Sequence, residues 1–294
     1  MLALLLRRRE PLVTPDHEDG HRKWMRDQLR IAADQLALDL YGAETFGWRD
    51  RTIGSRAKDD ERTVWLRVSW ASPQWAEGSY WTGNQDAAAI CGVPKPHVLA
   101  MYDWEGAQYR NRAEVMTLVQ DPPCSRTPEL TDAVDLPDGW WHDLLAALDT
   151  LATHETDRRV TDQQKISRRL LAFYGTAADP QIERWTTAHG DLNWSNLTAP
   201  SLQLLDWESF GTAPAGYDAA TLYVLALNAP ATARRLEDVF GDVLGSPDGI
   251  RSQLHVIGRY LKRVEIGDFA EMADLWHAHA ASLVASRSPA TGRR

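Results

Sequence analysis

Residues 189–196, HGDLNWSN, place a carboxylate and an amide side chain in one short segment, with four residues between Asp191 and Asn196. The residues that follow, LTAPSLQLLDWE, predict a tight hairpin that turns near Ser201 and places Asn196 directly opposite Asp206. Side chains opposed in this way have Cβ atoms about 5 Å apart, so both oxygens could reach one small ion such as Mg²⁺. Asp191 lies in the loop that enters the hairpin, where its carboxylate could accept a proton from an attacking hydroxyl group.

This set of groups is the one that phosphoryl transfer requires. One Asp orients the nucleophile, while an Asn and a second Asp hold the metal ion that neutralises the phosphate charge. The spacing H-x-D-x-x-x-x-N is also that of a kinase catalytic loop. The alternative is a surface loop with a capping Asp and turn-forming Asn residues. The hairpin and the LLDWE segment that follow favour phosphoryl transfer over this alternative.

HGDLNWSN, followed by LLDWE and GTAPAGYDAATLY, resembles the aminoglycoside phosphotransferase and choline kinase-like family, whose fold is that of the protein kinases. The resemblance is close in the C-terminal core and loose in the N-terminal part. It implies an ATP- and Mg²⁺-dependent kinase that phosphorylates a hydroxyl group. It also implies that Asp191 is the catalytic base, that Asn196 and Asp206 bind magnesium, that Asp218 braces the loop, and that His189 supports it by hydrogen bonding.

Asn193 departs from the family pattern. Many family members have His at this position and protein kinases tend to have Lys, either of which can touch the transferring phosphate. An Asn amide can donate a hydrogen bond but carries no charge. We therefore expect Asn193 to tune the rate or the acceptor preference without abolishing transfer. Glu208 could assist the metal ion or cap the following turn, and the sequence leaves both roles open.

The resemblance also suggests where a nucleotide would bind. In the strand VWLRVS, Arg67 stands where the family usually has a Lys that holds the phosphates, although a solvated strand residue is the alternative. Asp86 is the candidate carboxylate partner of Arg67, with Glu77 as the second choice. Backbone groups of Thr117 and Val119 could bond the adenine edge. The preceding loop has no G-x-G-x-x-G pattern, so it predicts no phosphate-binding loop.

The periodicity of the chain changes near QDPPC, residues 120–124. Predicted strands are concentrated before this break, and most predicted helices follow it. This pattern predicts the α+β class. With the resemblance, it predicts a bilobal protein kinase-like fold, in which an N-terminal nucleotide-binding lobe, residues 1–119, precedes a catalytic and acceptor-binding lobe, residues 120–294. The predicted strands are 53–58, 64–69, 98–102 and 113–119, and the predicted helices are 21–41, 82–91, 137–153, 161–174, 218–228, 230–244, 246–265 and 268–286.

The amino-acid composition argues against several classes of binding partner. The net charge of −9 argues against a sequence-independent nucleic-acid binder and against binding to an anionic membrane, because both need a basic surface. The two cysteines, Cys91 and Cys124, form no disulfide framework or zinc-binding spacing. The N-terminal segment MLALLLRRRE has its charges after a short apolar run, unlike a signal peptide, and no stretch is long enough for a membrane helix. We therefore expect a cytoplasmic protein.

The acceptor remains open at this stage. An aminoglycoside-like antibiotic is the class that the family implies, and the negative net charge agrees with a cationic small molecule. A second hypothesis is a Ser/Thr kinase that acts on a natural-product precursor peptide. A third is a regulatory pseudokinase that binds a nucleotide with little catalysis, which the departures at Arg67 and Asn193 suggest.

Overall fold

The structure, a computed structural model, describes residues 15–60, 62–106 and 108–287, so the segment MLALLLRRRE lies outside the described residues. The chain forms two compact units. The N-terminal unit contains the described residues up to Gly78 and the segment His97–Val119. The C-terminal unit contains Ser79–Pro96 and the described residues from Gln120 onward. One boundary between the units thus falls after residue 119. Residues 79–96 also belong to the C-terminal unit, so a single cut of the sequence at residue 119 does not separate the two units.

The described part of the N-terminal unit contains one α-helix, a three-residue 3₁₀ turn and a five-stranded antiparallel sheet of order β1-β2-β3-β5-β4. Buried and more exposed residues alternate along the central strand β3, and Val64, Leu66 and Val68 are buried against Met25 and Leu29 of the helix. Alternate residues of a strand face opposite sides of a sheet, so this pattern leaves the intervening residues on the other face. The elements are α1 (Pro15–Gln35), β1 (Asp39–Phe46), β2 (Thr52–Asp59), β3 (Arg62–Ala71), β4 (Val98–Glu105) and β5 (Arg110–Thr117).

The predicted helix over residues 21–41 is wrong at its C-terminal end. The helix stops at Gln35, Ala37 adopts a left-handed φ of 53°, and the chain enters β1. Apolar residues occupy every second position between 36 and 40, a spacing that fits a strand as well as a continued helical stripe. The strand forms because β2 supplies its hydrogen-bond partners, with Leu40 opposite Ala57. Sequence periodicity could not reveal that partner.

The C-terminal unit is mainly helical. A short antiparallel pair, β6 and β7, was not predicted, since four residues are too few to show a strand period. The helices after residue 136 lie close to their predicted positions. Ser246 caps one of them by accepting a hydrogen bond from the amide of Gly249 at 3.0 Å. The elements are α2 (Ser79–Asp86), α3 (Asp138–Ala152), α4 (Gln163–Tyr174), β6 (Trp185–Ala188), β7 (Gly211–Pro214), α5 (Tyr217–Leu225), α6 (Pro230–Gly245), α7 (Pro247–Val264) and α8 (Ala273–Arg287).

Buried tryptophans anchor the segments that carry the predicted site. Trp194 of the HGDLNWSN segment and Trp207 of the LLDWE segment are both about fully buried in the core of the C-terminal unit. Their indole nitrogens donate to the carbonyl oxygens of Leu222 and Leu204, at 3.2 Å and 2.8 Å. A buried indole that also satisfies its N–H fixes both position and orientation. No helix among the described residues is long and apolar enough to cross a membrane.

Candidate active site

Asp218, near the start of α5, holds the entrance of the HGD loop. Strand β6 leads directly into His189 and Gly190, whose backbone amides donate to the two carboxylate oxygens of Asp218 at 2.6 Å and 3.0 Å. Burial raises the pKa of Asp218, whereas His189 and the two amides oppose that rise. Gly190 has a φ of 83°, and a Cβ there would lie 2.6 Å from both Ser209 O and a methyl of Val160. Only glycine therefore fits this turn without strain.

His189 connects the loop to the next segment of chain. Its Nε2 lies 2.8 Å from the carbonyl oxygen of Leu205. Because a carbonyl oxygen only accepts, Nε2 must carry a proton. The ring is fully buried, packs edge-on against Trp207 with centroids 4.8 Å apart, and has its pKa lowered by burial. A neutral, buried imidazole in this position supports the loop and is shielded from a substrate.

The carbonyl oxygen of Asp191 is bound by two asparagine side chains. The Nδ2 atoms of Asn193 and Asn196 each donate to it at 3.0 Å. The Oδ1 of Asn193 in turn accepts from the amide and the hydroxyl of Ser195, at 3.0 Å and 2.7 Å. Asn193 is buried, so its amide organises the loop. The expectation that Asn193 tunes the rate or the acceptor preference stays a prediction.

The ribbon after the loop is paired one residue away from the predicted register. Leu197 pairs with Leu204, and the amide of Leu205 donates to the carbonyl of Asn196 at 2.8 Å. Asn196 is therefore opposite Leu205, and the prediction that it directly opposes Asp206 is wrong. The regular ribbon ends there, because Asp206 adopts a left-handed conformation with φ 63° and ψ 66°. Hairpin register depends on the turn, which residue types alone did not specify.

Helix α2 braces the segment that contains Asp206. The Oδ1 of Asn84 accepts from the amide of Trp207 at 3.0 Å. Arg158 donates to the carbonyl oxygens of Glu208 and Phe210, at 2.8 Å and 3.0 Å. Each contact lies within the C-terminal unit. Together they fix the backbone on the C-terminal side of Asp206.

Arg158 also determines the position of Asp86. Their ion pair measures 2.8 Å, and Thr82 donates to the same carboxylate oxygen at 2.6 Å. Asp86 is thus bound within its own unit, which corrects the prediction that it serves as the partner of Arg67. The sequence offered no signal for Arg158, since it precedes a loop of ordinary composition and lies 72 residues from Asp86.

Arg259 of α7 is a contact of Asp191 that sequence reasoning missed. One Nη2–H donates to the Oδ1 of Asp191 at 3.0 Å, and Nη1 donates to the carbonyl oxygen of Gly190 at 3.3 Å. The phenol oxygens of Tyr217 and Tyr260 accept from the same guanidinium at 3.3 Å and 3.0 Å. Burial alone would lower the pKa of Arg259, but the two tyrosines and Asp191 raise it well above its usual value. The second carboxylate oxygen of Asp191 has no partner among the described residues.

In the N-terminal unit, Arg67 pairs with a carboxylate of the neighbouring strand. Arg67 and Glu114 stand directly opposite each other in β3 and β5, and their side chains form an ion pair of 2.9 Å. Both side chains are largely buried, with 15% and 4% exposed. Arg67 is therefore not the exposed, solvated strand residue that was the alternative.

The two predicted adenine contacts differ in their backbone hydrogen bonds. The amide of Thr117 donates to the carbonyl of His97 at 2.9 Å, so its N–H is engaged within the N-terminal unit. Val119 follows the end of β5, and its N–H and C=O have no hydrogen-bond partner among the residues described. Of the two positions, Val119 has the backbone groups that could bind a heterocycle edge.

The chain matches known proteins in structure but not in sequence. No family model matches the chain, and no curated protein sequence matches it. Solved structures do match. A ternary complex of aminoglycoside phosphotransferase APH(4)-Ia with ADP and hygromycin B aligns with a TM-score of 0.59 at 14% identity, covering 87% of this chain and 97% of that chain. The chain has the aminoglycoside phosphotransferase fold.

Two further structures support the same assignment. Another structure of APH(4)-Ia aligns with a TM-score of 0.56 at 15% identity, covering 91% of this chain and 98% of that chain. The GDP complex of aminoglycoside 2'-phosphotransferase-IIIa aligns with a TM-score of 0.56 at 13% identity, covering 90% and 99%. The α+β, protein kinase-like class predicted from the sequence is confirmed. The resemblance of HGDLNWSN and LLDWE to this group is confirmed at the level of the fold.

Within the aminoglycoside phosphotransferase fold of this chain, Gly83 permits close contact between α2 and the Asp206 segment. A Cβ on Gly83 would lie 2.5 Å from both the Cα and the carbonyl oxygen of Glu208. Because backbone atoms cannot move aside easily, we expect Gly83→Ala to lower the free energy of unfolding by about 1–3 kcal/mol. Gly241, inside α6, has open space around it. Gly241→Ala is the matched control, expected to stabilise by about 0.5–1 kcal/mol.

Denaturant unfolding of both glycine variants measures this difference. A Gly83→Ala variant as stable as the wild type would show that the contact between α2 and Glu208 is looser than the structure describes.

Proposed function

We propose that this protein is a phosphotransferase that moves the γ-phosphate of ATP to a hydroxyl group of a small molecule. The observation that carries the proposal is the geometry of one loop. The carbonyl of Asp191 is bound by Asn196, and the loop entrance is bound by Asp218. A candidate base and a candidate metal ligand are thereby held in a single braced segment.

Asp191 would orient the acceptor hydroxyl and take its proton. Its side chain is 42% exposed, and its Oδ1 is occupied by Arg259, which leaves Oδ2 to face a substrate. Arg259 is then a positioning residue, because it fixes the plane of the carboxylate. Phosphoryl transfer asks little covalent chemistry of a protein, so positioning and charge neutralisation supply most of the acceleration.

Asn196 and Asp206 have the donor atoms that a magnesium ion needs. The Nδ2 of Asn196 is committed to the carbonyl of Asp191, so its Oδ1 is left as the ligand atom. Asp206 supplies a carboxylate on an exposed, left-handed residue. An amide oxygen and a carboxylate oxygen, with room for water and phosphate oxygens, suit Mg²⁺. When bound, the ion neutralises charge on the β- and γ-phosphates.

Nucleotide binding is assigned to residues of the N-terminal unit. Arg67, oriented by Glu114, would hold the phosphates that are not transferred, and the backbone of Val119 would bond the adenine edge. The solved structures of this fold include complexes with ADP, AMP-PNP and GDP, which supports a nucleotide as the donor. Two of those structures also contain hygromycin B, which supports a small-molecule acceptor.

The alternative of a regulatory pseudokinase loses one of its two motivations. Asn193 suggested a lost phosphate contact, but its amide is engaged in the loop. The Arg at position 67 remains as a departure, and it keeps its charge at any physiological pH. A peptide acceptor has no specific observation in its favour.

An acceptor screen tests the proposal. The purified protein would be incubated with γ-labelled ATP and Mg²⁺, and with amino-sugar antibiotics, choline-like alcohols, neutral sugars, hydroxy acids or Ser/Thr peptides. We expect a small molecule to be labelled, and labelling to disappear when EDTA removes the metal ion. Labelling of peptides alone would contradict the small-molecule assignment. Absence of labelling together with an ATP turnover unaffected by Asp191→Asn would contradict enzymatic function altogether.

A further inference from the structure

Arg169 of α4 is a partly buried cation without a carboxylate partner among the described residues. Its one hydrogen bond joins Nη1 to the Nε2 of His255, at 2.9 Å. No Asp or Glu pairs with it among the described residues. Burial lowers the pKa of Arg169, yet a guanidinium remains charged in proteins. A partly buried charge without a counter-ion loses part of its hydration, and an anionic ligand would offset that cost.

Arg169 is part of the surroundings of Asp191. His255 and Arg259 lie four residues apart on α7, and residues at this interval share one face of a helix. Arg169 contacts the first of them, and Asp191 contacts the second at 3.0 Å. Tyr217 links the two, because its ring centroid is 6.2 Å from that of His255 and its hydroxyl accepts from Arg259.

A glycine on α7 makes room for the Arg169 side chain. A Cβ on Gly258 would lie 2.9 Å from the Cγ of Arg169 and 3.1 Å from its Cδ. The aliphatic stem of Arg169 therefore runs over the backbone of α7. This packing brings the guanidinium to the face that carries His255 and Arg259.

The charges at this face do not balance. Arg169 and Arg259 bring two positive charges, and Asp191, which contacts Arg259, is the one carboxylate that the described contacts bring to this face. His255 is neutral, because its Nε2 accepts a hydrogen bond from Arg169; burial first, and then the two arginines, lower its pKa well below the usual value. One surplus positive charge thus remains on the side of α7 that also contacts the candidate base through Arg259, in a protein whose net charge is −9.

We propose that Arg169 binds an anionic group of the acceptor, so that the substrate is an alcohol carrying a carboxylate or a phosphate. This inference rests on the proposed function, and it deepens that function by naming the acceptor class. The acceptor's anion would fill the unused N–H donors of Arg169 while its hydroxyl meets Oδ2 of Asp191. A guanidinium that grips a carboxylate or phosphate through two parallel hydrogen bonds is both strong and directional. A cationic amino sugar would be repelled at the same face.

Calorimetric titration with four matched sugars tests the proposal without nucleotide. The probes are gluconate, glucose 6-phosphate, glucose and glucosamine, and the proteins are wild type, Arg169→Met, Arg169→Lys and Arg168→Met. Arg168 is the adjacent, exposed arginine of α4 and serves as the matched control. We expect at least one anionic probe to bind the wild type and Arg168→Met with equal affinity. The same probe should bind Arg169→Met at least about tenfold more weakly, and its affinity for Arg169→Lys should be intermediate.

Thermal unfolding separates a binding role from a structural one. If Arg169 awaits a ligand, Arg169→Met removes an uncompensated charge, and its Tm should equal or exceed that of the wild type. The proposal is wrong if Arg169→Met lowers Tm sharply while Arg169→Lys does not bind anions. It is also wrong if neither anion binds better than glucose and glucosamine, or if anion binding does not depend on Arg169.

The nucleotide is the other source of an anion. Titration with AMP-PNP should give equal affinities for wild type and Arg169→Met, and a loss matching that for the sugar anions would assign Arg169 to the nucleotide and overturn the proposal. Because these titrations need no catalysis, they can fail or succeed independently of the acceptor screen. Anion binding at Arg169 without any phosphate transfer would defeat the proposed enzymatic function alone.

Discussion

Replacing Asp191 with asparagine is expected to lower the rate of phosphoryl transfer by about 100-fold to 10,000-fold, the range that a positioned general base contributes. The amide keeps the shape of the carboxylate, and its oxygen can still accept the hydrogen bond from Arg259. The backbone carbonyl that Asn193 and Asn196 bind is unaffected. The variant therefore removes the proton acceptor and leaves the loop in place.

Single-turnover ATP consumption in the presence of the labelled acceptor measures this loss. Asp149→Asn is the matched control, because Asp149 is an exposed residue of α3. We expect the control to keep the wild-type rate, and both variants to keep the wild-type Tm within a few degrees. A rate for Asp191→Asn within threefold of the wild type would remove Asp191 from the chemical step.

Asp218→Ala should destabilise the fold as well as remove activity. The substitution leaves the amides of His189 and Gly190 buried without an acceptor. Each unsatisfied buried donor costs about 1–3 kcal/mol, and hydrogen bonds to a charged group contribute about 1.5–3 kcal/mol, so we expect a loss of about 3–5 kcal/mol. That is a large fraction of the stability of a typical domain. Asp191 directly follows Gly190, so loss of the hydrogen bonds to Asp218 should also lower the rate of phosphoryl transfer.

Chemical denaturation of the wild type and three variants isolates this effect. Asp218→Asn keeps the side-chain volume, but its amide nitrogen cannot accept, so only one of the two backbone hydrogen bonds is retained. The stability of this variant should therefore lie between those of the wild type and Asp218→Ala. Asp242→Ala, at an exposed position of α6, should leave stability within about 0.5 kcal/mol of wild type. If Asp218→Ala were as stable as this control, the brace would be unnecessary for the fold, and its proposed role would be wrong.

The parts of the fold that were predictable have strong internal periodicity. Helix α3 matches its predicted range within one residue at each end, and β2 and β3 lie where alternation placed them. Their apolar faces are defined by residues close in sequence, so a local pattern contains enough information. The end of α1, the four-residue strands and the exact pairing of the Asn196 ribbon were not predictable. Each of these depends on hydrogen bonds from a distant or unspecified partner.

The residues of the candidate site also fall into those that the sequence predicted and those that only the structure revealed. His189, Asp191, Asn196, Asp206 and Asp218 lie within 30 residues of one another. The types and spacing of Asp191, Asn196 and Asp206 predicted their roles, and the family resemblance added His189 and Asp218. Arg158, Arg259 and Glu114 escaped notice because arginine and glutamate are common on surfaces and nothing in their neighbouring residues distinguishes them. Their significance comes from partners that lie 47 to 72 residues away in the sequence.

By itself the sequence determined the α+β class and supplied the candidate groups for phosphoryl transfer: a carboxylate, an amide and a second carboxylate at suitable intervals. The tertiary structure decided how those groups are held and what surrounds them. In the structure the amide of Asn193 braces the loop, Asp86 pairs with Arg158, and Arg259 contacts the candidate base, while Arg169 contacts His255 on the same helix as Arg259. The reason is physical. Covalent spacing fixes which groups are near along the chain, whereas charge balance at a site is a sum over every element that packs there.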